Sequence, residues 1–274
     1  MKELDWEYID ALMPRRAAES SKNDYGRILC VCGSAGYTGA AFFAAQGAVR
    51  MGSGVVTLAV PERAWSVLAV KLSEPVVRPL PCTEDGLFSV RALPRLLELA
   101  EHADALLIGC GLGRSDEVTE VVCTLLCEAA CPIVLDADGI FALAQHKDIL
   151  HRTAKPLVMT PHAGEFARLS GKKQIQPEEL RAFAQETMAF PKGCSLFASA
   201  DAARDRSAFS SRASSKGKRS LTSSLPYVSV PVLSKVMTEI FARRSSASPS
   251  RTRNPCFVAF PIAAIIAVGV ASTK

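Results

Sequence analysis

Four short segments, each following an apolar run, carry residue types that bind phosphates, ribose hydroxyls or ligand oxygens. Two are rich in glycine: 33–40 reads GSAGYTGA and 109–113 reads GCGLG. Glycine lets a backbone approach a ligand closely, and exposed amides at a helix start favour an anion such as a pyrophosphate. Asp136 and Asp138 could bind ribose hydroxyls or hold Mg²⁺ through water, and His162 could donate a hydrogen bond to a ligand oxygen. The segments together predict a ligand site, with a dinucleotide as the immediate candidate.

Each segment also has a purely structural interpretation, which the sequence leaves open. The glycines of 33–40 could serve a tight strand-to-helix turn, because their spacing is not G-x-G-x-x-G. The next acid, Glu62, lies 29 residues past Gly33, where a dinucleotide fold has it at about 20. No Gly-Lys-Ser/Thr follows, so a phosphate P-loop is excluded. We expect Asp138 to be a helix N-cap, and a lone histidine such as His162 is usually structural.

Apolar strands alternate with helical segments through the first two thirds of the chain. This alternation predicts an α/β fold with a mostly parallel sheet and helices on both faces. Ligands bind such folds outside the carboxyl ends of the strands, where all four segments lie. The predicted strands are Arg27–Cys32, Gly54–Val60, Ala105–Gly109, Pro132–Leu135 and Pro156–Thr160, and the predicted helices are Gly39–Met51, Ser115–Ala129, Asp138–Ala144 and Ala163–Leu169.

The composition of the chain changes abruptly near Cys194. Residues 1–194 hold 20 Lys and Arg against 24 Asp and Glu, whereas residues 195–274 hold 12 against 3. Serine occurs 9 times before the break and 16 times in 195–250, and only two of the 17 glycines follow it. Low-complexity Ser/Arg/Lys sequence lacks the apolar periodicity of a packed core. We therefore predict an α/β body over 1–194 and an atypical segment over 195–274.

The atypical segment admits three interpretations. A shifted reading frame or another 3′ end accounts for the abrupt change at one point, and we favour it. A membrane anchor over the uncharged run Cys256–Ser272 is weaker, because its 17 residues are marginal for a span and Pro261 interrupts them. A disordered nucleic-acid-binding tail is weaker still, since the basic residues are scattered and few aromatic residues could stack on bases. We expect neither a membrane nor a nucleic-acid partner.

The amino terminus and the cysteines predict a cytoplasmic protein. The chain opens with Met-Lys-Glu-Leu-Asp-Trp-Glu, which is acidic where a signal peptide would be apolar. Nine cysteines without such a signal indicate reduced thiols. Cys123, Cys127 and Cys131 are spaced four apart with no partnering histidine, and Cys30 and Cys32 alternate in an apolar strand. We interpret all five as small buried hydrophobic residues, and expect no metal site.

Six ordered motifs in the body resemble the ADP/ATP-dependent NAD(P)H-hydrate dehydratases. The resemblance covers roughly residues 15–190, about two thirds of the chain, and its order makes it more specific than any single glycine loop. Cys110 stands where the family usually has proline. The motifs are Lys22 with Tyr25-Gly26-Arg27 and the 33–40 segment, Arg50-Met51-Gly52-Ser53-Gly54, Glu74-Pro75, Gly111-Leu112-Gly113, Val134-Leu135-Asp136-Ala137-Asp138 and Thr160-Pro161-His162-Ala163-Gly164-Glu165-Phe166.

The resemblance implies a ribokinase-like fold and a role in cofactor repair. Family members dehydrate the S form of the hydrated cofactors NADHX and NADPHX to NADH and NADPH. A nucleotide, ADP in most bacterial members and ATP in eukaryotic ones, acts with Mg²⁺ to phosphorylate the ring hydroxyl, because phosphate leaves more readily than hydroxide. By similarity, Ala40, Gly111 and His162 would contact the hydrated cofactor. Relatives of this fold often assemble, so the resemblance also implies a homo-oligomer.

The second half of the family pattern is not found in this sequence. It would contain a Leu-Lys-Gly strand, an Asn-Pro-x-Gly-Met-Ala region and a Gly-Ser-Gly-Asp helix start, whose aspartate is the expected base. Phosphoryl transfer depends on positioned amides and charge-stabilising groups. We therefore predict an ADP-dependent dehydratase with impaired or lost activity, and assign no catalytic or nucleotide-binding residue. Two alternatives stay open: a nicotinamide-dependent oxidoreductase, and a non-catalytic cofactor-binding or membrane-associated pseudoenzyme.

Overall fold

A parallel sheet forms the centre of the molecule. The computed structural model of the chain describes residues 18–153, 155–171 and 194–196. In this part of the chain seven parallel strands lie in the order β3-β2-β1-β4-β5-β6-β7. The order reverses between β1 and β4, so the connections that follow these two strands diverge and leave a crevice at their carboxyl ends. The strands are β1 Arg27–Val31, β2 Val55–Pro61, β3 Val76–Leu80, β4 Ala105–Ile108, β5 Ile133–Leu135, β6 Leu157–Met159 and β7 Cys194–Leu196.

Helices cover both faces of this sheet. Two of them pack on the face that carries Cys30 and Leu58, and most of the others pack on the face that carries Leu29 and Leu106. Strands buried on both faces read as continuous apolar runs, which is why the sequence marks them clearly. The helices are α1 Thr38–Arg50, α2 Glu62–Lys71, α3 Leu93–Glu101, α4 Asp116–Glu128, α5 Ala137–Gln145, α6 Ile149–Arg152 and α7 Ala163–Ser170; α1 and α2 form the first group.

The predicted α/β fold is confirmed, and each predicted strand and helix ends within one residue of an observed one. Strands β3 and β7 and helices α2, α3 and α6 were not predicted. Strand β3 lies at the edge of the sheet, most of its side chains are exposed, and Pro79 interrupts its pattern. Proline is tolerated at an edge strand because one side of the backbone needs no partner there.

The cysteines of the body behave as apolar core residues. Cys30, Cys32 and Cys131 are buried, and Cys123 and Cys127 pack partly buried against the core, which confirms the interpretation made from their spacing. Burial, reinforced by Cys127 and Asp148, raises the pKa of Cys123 to about 11. These five cysteines, together with Cys82 and Cys110, are free thiols.

Strand β7 carries the sheet to Leu196, two residues past the predicted domain boundary. The remainder of the atypical segment, including the run 256–272, lies outside the described residues. Among the residues that the structure describes, no helix is both long enough and apolar enough to cross a membrane.

Candidate functional site

The two glycine segments lie against each other at the crevice between β1 and β4. Gly33 N donates a hydrogen bond to Cys110 O at 2.8 Å. The Ser34 hydroxyl is wholly buried and donates to Gly111 O, also at 2.8 Å. A buried hydroxyl that spans two loops fixes their relative position, because an unpaired one would cost free energy. The segments that follow β1 and β4 therefore form one unit.

Ala40 and Gly111, both implied to bind the hydrated cofactor, are in direct contact within this unit. Gly111 adopts a φ of +70°, and a β-carbon added there would lie 2.8 Å from Ala40 Cβ and 3.0 Å from Tyr37 Cβ. The amide of Ala40 donates to Tyr37 O at 3.2 Å in the first turn of α1. The absence of a side chain at position 111 thus lets the glycine turn pack directly against Tyr37 and Ala40 at the start of α1.

Gly109 joins the glycine unit to the next strand. Its φ is +129°, and a β-carbon added there would lie 1.8 Å from Asp136 O and 3.0 Å from Gly139 N. These are backbone atoms, so no side-chain rotation could relieve the overlap. The close approach brings the carboxyl end of β5 directly beside that of β4.

The Asp136 carboxylate links the ends of three strands. Its Oδ1 accepts a hydrogen bond from Thr160 Oγ1 at 2.6 Å, at the end of β6. Its Oδ2 accepts one from Cys110 Sγ at 3.4 Å, after β4. A hydrogen bond with Cys32, burial and the nearby carboxylate all raise the pKa of Cys110, so its thiol keeps its proton and can donate. Asp136 therefore connects β4, β5 and β6 at the rim, which is the edge formed by the carboxyl ends of the strands.

Asp138 has a different role from the one that the sequence suggested. It was expected to cap the following helix, but the N-cap residue of α5 is Asp136 and Asp138 lies in the first turn. Asp138 Oδ2 accepts from Gly113 N at 3.0 Å, and Oδ1 pairs with Arg114 Nε at 3.2 Å. The N-cap expectation for Asp138 is wrong because α5 begins one residue earlier than predicted, at Ala137, and the Asp138 carboxylate accepts from the glycine turn instead.

His162 is the N-cap of α7. Its Nδ1 accepts hydrogen bonds from Gly164 N at 3.0 Å and from Glu165 N at 3.4 Å. Its Nε2 lies 3.1 Å from Glu165 Oε1, and Glu165 Oε2 accepts from His162 N at 3.0 Å. The pair forms a capping box in which histidine takes the place usually held by serine or threonine.

Glu165 belongs to the 160–166 motif and contacts His162 twice, at its backbone N and at its ring. The role of Glu165 could have been predicted from its position three residues after His162, because this is the spacing of a capping box at a helix start. Burial raises the pKa of Glu165; hydrogen bonding and charge from His162 partly oppose this, and Asp136 and Asp138 add to it. The polar part of the rim is thus acidic, with Arg114 paired to Asp138.

The three residues implied to bind the cofactor all lie at the carboxyl edge of the sheet. Ala40 and Gly111 touch, whereas His162 follows β6, which is two strands away from β4. Neighbouring strands lie about 4.8 Å apart, so the histidine is roughly 10 Å from the glycine unit. A ligand of dinucleotide size could contact both. The described residues contain no group of three His, Cys, Asp or Glu side chains able to hold a metal ion.

Comparison with known proteins identifies a family that the chain matches. A family model described as NAD(P)H-hydrate dehydratase matches residues 28–196. The bifunctional NAD(P)H-hydrate repair enzyme Nnr of Moorella thermoacetica is 43% identical over 169 residues, which are 62% of this chain and 32% of that protein. Nnr of Salinibacter ruber is 40% identical over 176 residues, or 64% of this chain and 32% of that protein. The chain therefore spans about a third of the length of these curated relatives.

Solved structures agree with the predicted ribokinase-like fold. The ADP/ATP-dependent NAD(P)H-hydrate dehydratase from Bacillus subtilis, co-crystallised with ATP/Mg²⁺, is 26% identical with a TM-score of 0.53, and the match covers 73% of this chain and 68% of that one. A ribokinase-like superfamily protein from Enterococcus faecalis has a TM-score of 0.55 at 22% identity, covering 69% and 64%. The latter likeness bears on the fold alone.

Proposed function

The chain belongs to the NAD(P)H-hydrate dehydratase family, a family of lyases, and we propose that it binds the S form of NADHX or NADPHX at the carboxyl ends of β1, β4 and β6. In this proposal Ala40 and Gly111 contact one part of the hydrated cofactor and His162 another. The reaction served is dehydration to NADH or NADPH, dependent on ADP or ATP, and its rate in this chain is strongly reduced or zero.

The contact between Ala40 and Gly111 is the observation that carries the proposal. Two residues 71 positions apart, each named by the family resemblance, meet with no room for a side chain at Gly111. This close packing fixes the backbone of the glycine turn beside the first turn of α1, and we propose that the ligand lies against the outer side of these two segments. His162 adds an imidazole that is about half exposed at the same edge. Apolar contact and a hydrogen-bond donor are what a hydrated nicotinamide ring, with its hydroxyl and carboxamide, requires.

Asp136 and Asp138, the two carboxylates that the sequence offered for Mg²⁺, already have hydrogen-bond partners. Asp136 already accepts hydrogen bonds from Thr160 and Cys110, and Asp138 accepts from Gly113 and Arg114. A Mg²⁺ ion prefers free carboxylate oxygens together with water and phosphate. We propose that residues 1–194 form the cofactor-binding body and that 195–274 contribute nothing to phosphoryl transfer.

A turnover assay tests this proposal. The full chain, S-NADPHX, ADP and Mg²⁺ are mixed, and NADPH formation is followed by absorbance, with a complete family member as positive control. We expect no NADPH, or a rate at least 100-fold below the control, because several kcal/mol of transition-state stabilisation come from preorganised charge-stabilising groups. A rate equal to that of the control would contradict the impairment. NADPH consumption with an added carbonyl substrate and no nucleotide would instead indicate an oxidoreductase.

The proposed function also concerns where the protein lies in the cell and how many chains assemble. We propose a cytoplasmic homo-oligomer whose partner is the small-molecule hydrate. Cell fractionation should place the full chain in the cytosolic fraction, and light scattering should give a mass above that of one 29.3 kDa chain. Recovery in the membrane fraction would favour the anchored pseudoenzyme, and a monomeric mass would contradict the oligomer.

A further inference from the structure

Two arginines from separate elements meet at one aromatic ring beside the rim. Phe141 lies in α5, Arg114 directly follows the glycine turn after β4, and Arg168 lies in the last turn of α7. The guanidinium carbon of Arg114 is 4.1 Å from the centre of the Phe141 ring, and that of Arg168 is 5.6 Å from it. A ring face attracts cations at such distances, so Phe141 holds both groups. The fold thus brings two positive charges together, and we call these two residues the arginine pair.

Asp138 orients Arg114 without using the whole guanidinium group. Arg114 Nε donates to Asp138 Oδ1 at 3.2 Å, while Asp138 Oδ2 accepts from Gly113 N at 3.0 Å. Within the described part of the chain the two Nη atoms of Arg114 donate to no other group, and the side chain is 54% exposed. Because a guanidinium carries five N–H donors in a planar fork, its Nη edge can still bind a pair of anionic oxygens.

Arg168 leaves the arginine pair with an excess of positive charge. It is exposed, and it forms no ion pair with a carboxylate of the described residues. Glu165, the acid one turn earlier in α7, is directed at His162 instead. Asp138 therefore neutralises one of the two guanidinium groups, and the other is left without a counter-charge. Two like charges beside one ring repel each other, and a bound anion would relieve that repulsion.

From this geometry we propose that the arginine pair binds the pyrophosphate of the hydrated cofactor. The inference rests on the proposed function and deepens it, because it assigns the phosphate-binding part of the same site. Arg114 follows Gly111 by three residues, so the two lie within about 10 Å of each other. In NADHX and NADPHX one ribose separates the nicotinamide ring from the pyrophosphate, whereas the 2′-phosphate of NADPHX lies on the far ribose. The pyrophosphate is thus the group within reach, and its oxygens match the fork of a guanidinium.

Calorimetric titration of the full chain with inorganic pyrophosphate tests the arginine pair without any hydrate. We expect one saturable site per chain, with an affinity that falls as salt is added, because exposed charges are screened. Arg114→Gln and Arg168→Gln should each weaken binding about 10-fold, since each removes charge-assisted hydrogen bonds to phosphate oxygens. Circular dichroism checks that the variants are folded. Arg168 is exposed, so Arg168→Gln decides the question if Arg114→Gln does not fold.

Arg95→Gln is the matched control for this experiment. Arg95 is 47% exposed and pairs with the Glu98 carboxylate in α3, but it stacks on no aromatic ring among the described residues. Its substitution should leave the affinity for pyrophosphate unchanged. Arg114→Lys, which keeps the charge but not the planar fork, should weaken binding less than Arg114→Gln does. No binding by the wild type at low ionic strength, or equal losses in Arg95→Gln and Arg168→Gln, would overturn the proposal.

Titrations with S-NADHX and S-NADPHX then identify the phosphate group that the arginine pair binds. We expect Arg168→Gln to weaken the binding of both hydrates by the same factor, about 10-fold, because both contain the pyrophosphate. A loss confined to S-NADPHX would point to the 2′-phosphate and overturn the assignment. Unchanged affinity for both hydrates would also overturn it. A wild type that binds neither hydrate would overturn the proposed function, while the titration with inorganic pyrophosphate would still decide whether the arginine pair is an anion site.

Discussion

The rim of the sheet has two sides that are built by different means. On the glycine side, after β1 and β4, position is set by steric exclusion: Gly109 and Gly111 have positive φ and no room for a β-carbon. On the polar side, after β5 and β6, position is set by hydrogen bonds that converge on Asp136 and Glu165. Steric exclusion does not depend on pH, whereas contacts of a carboxylate do, because acid protonates it. The two sides should therefore respond differently to substitution and to acid.

Gly109→Ala should have the largest effect, because Gly109 joins the two sides. The added β-carbon would overlap the Asp136 carbonyl oxygen, and neither backbone can move without displacing a strand. We expect a loss of about 3 kcal/mol or more in the free energy of unfolding. Denaturant unfolding monitored by circular dichroism measures it. A loss below about 1 kcal/mol would show that the strands at this junction are not tightly fixed.

Gly111→Ala should damage the glycine side alone. The φ of +70° and the 2.8 Å approach to Ala40 Cβ predict a loss of about 1–3 kcal/mol in stability and a loss of affinity for the hydrate of at least 10-fold. Gly39→Ala is the control, because no heavy atom lies within 4 Å of a β-carbon placed there and the position is helical. Equal effects of the two substitutions on affinity would argue against a ligand at Gly111.

Thr160→Val should destabilise the polar side, with a smaller loss in the free energy of unfolding than Gly109→Ala causes. It removes the hydroxyl that donates to Asp136 Oδ1 at 2.6 Å, a hydrogen bond to a charged group that contributes about 2 kcal/mol. Thr160→Ser keeps the hydroxyl and loses one methyl, for which about 1 kcal/mol is expected. The thermal midpoints of the two variants should therefore rank serine above valine. The opposite order would show that packing, and not the hydrogen bond, holds the end of β6.

Acid should distinguish Glu165 from Glu117, with the smallest effect of all. Burial raises the pKa of Glu165, so the folded state binds its proton more tightly; this stabilisation is complete below the unfolded pKa and is lost as the pH rises through the folded pKa. Hydrogen bonds from Ser89 and Val90 lower the pKa of Glu117, so its contribution is present above the unfolded pKa and is lost as the pH falls through the folded one.

Unfolding curves at a series of pH values test this difference. Glu165→Gln should flatten the pH dependence of stability at pH values just above the ordinary pKa of glutamate. Glu117→Gln should flatten it at pH values just below that pKa. Slopes of the same sign for the two carboxyls would contradict the assignment of opposite environments.

Much of the fold could be predicted from the sequence, because strands buried on both faces and helices with polar starts leave continuous or periodic apolar patterns. Strand β3 was not predicted because most of its side chains face solvent at the edge of the sheet, so it has no continuous apolar run. In the site, the glycine segments and His162 were identified, but their contacts were not. The Asp138 error arose because its carboxylate accepts from the glycine turn, whose position in space the local sequence does not show. The role of Glu165 was missed although its position, three residues after His162, is that of a capping box.

We propose that the carboxyl edge of the sheet binds the hydrated cofactor even though the motifs of phosphoryl transfer are not found in the sequence. One calorimetric titration tests it most directly: the full chain against purified S-NADPHX, with R-NADPHX and NADPH under the same conditions. We expect saturable binding of the S form with one site per chain, and affinity at least 10-fold lower for the other two ligands. Equal affinity for all three ligands, or no heat of binding for the S form, would contradict the claim.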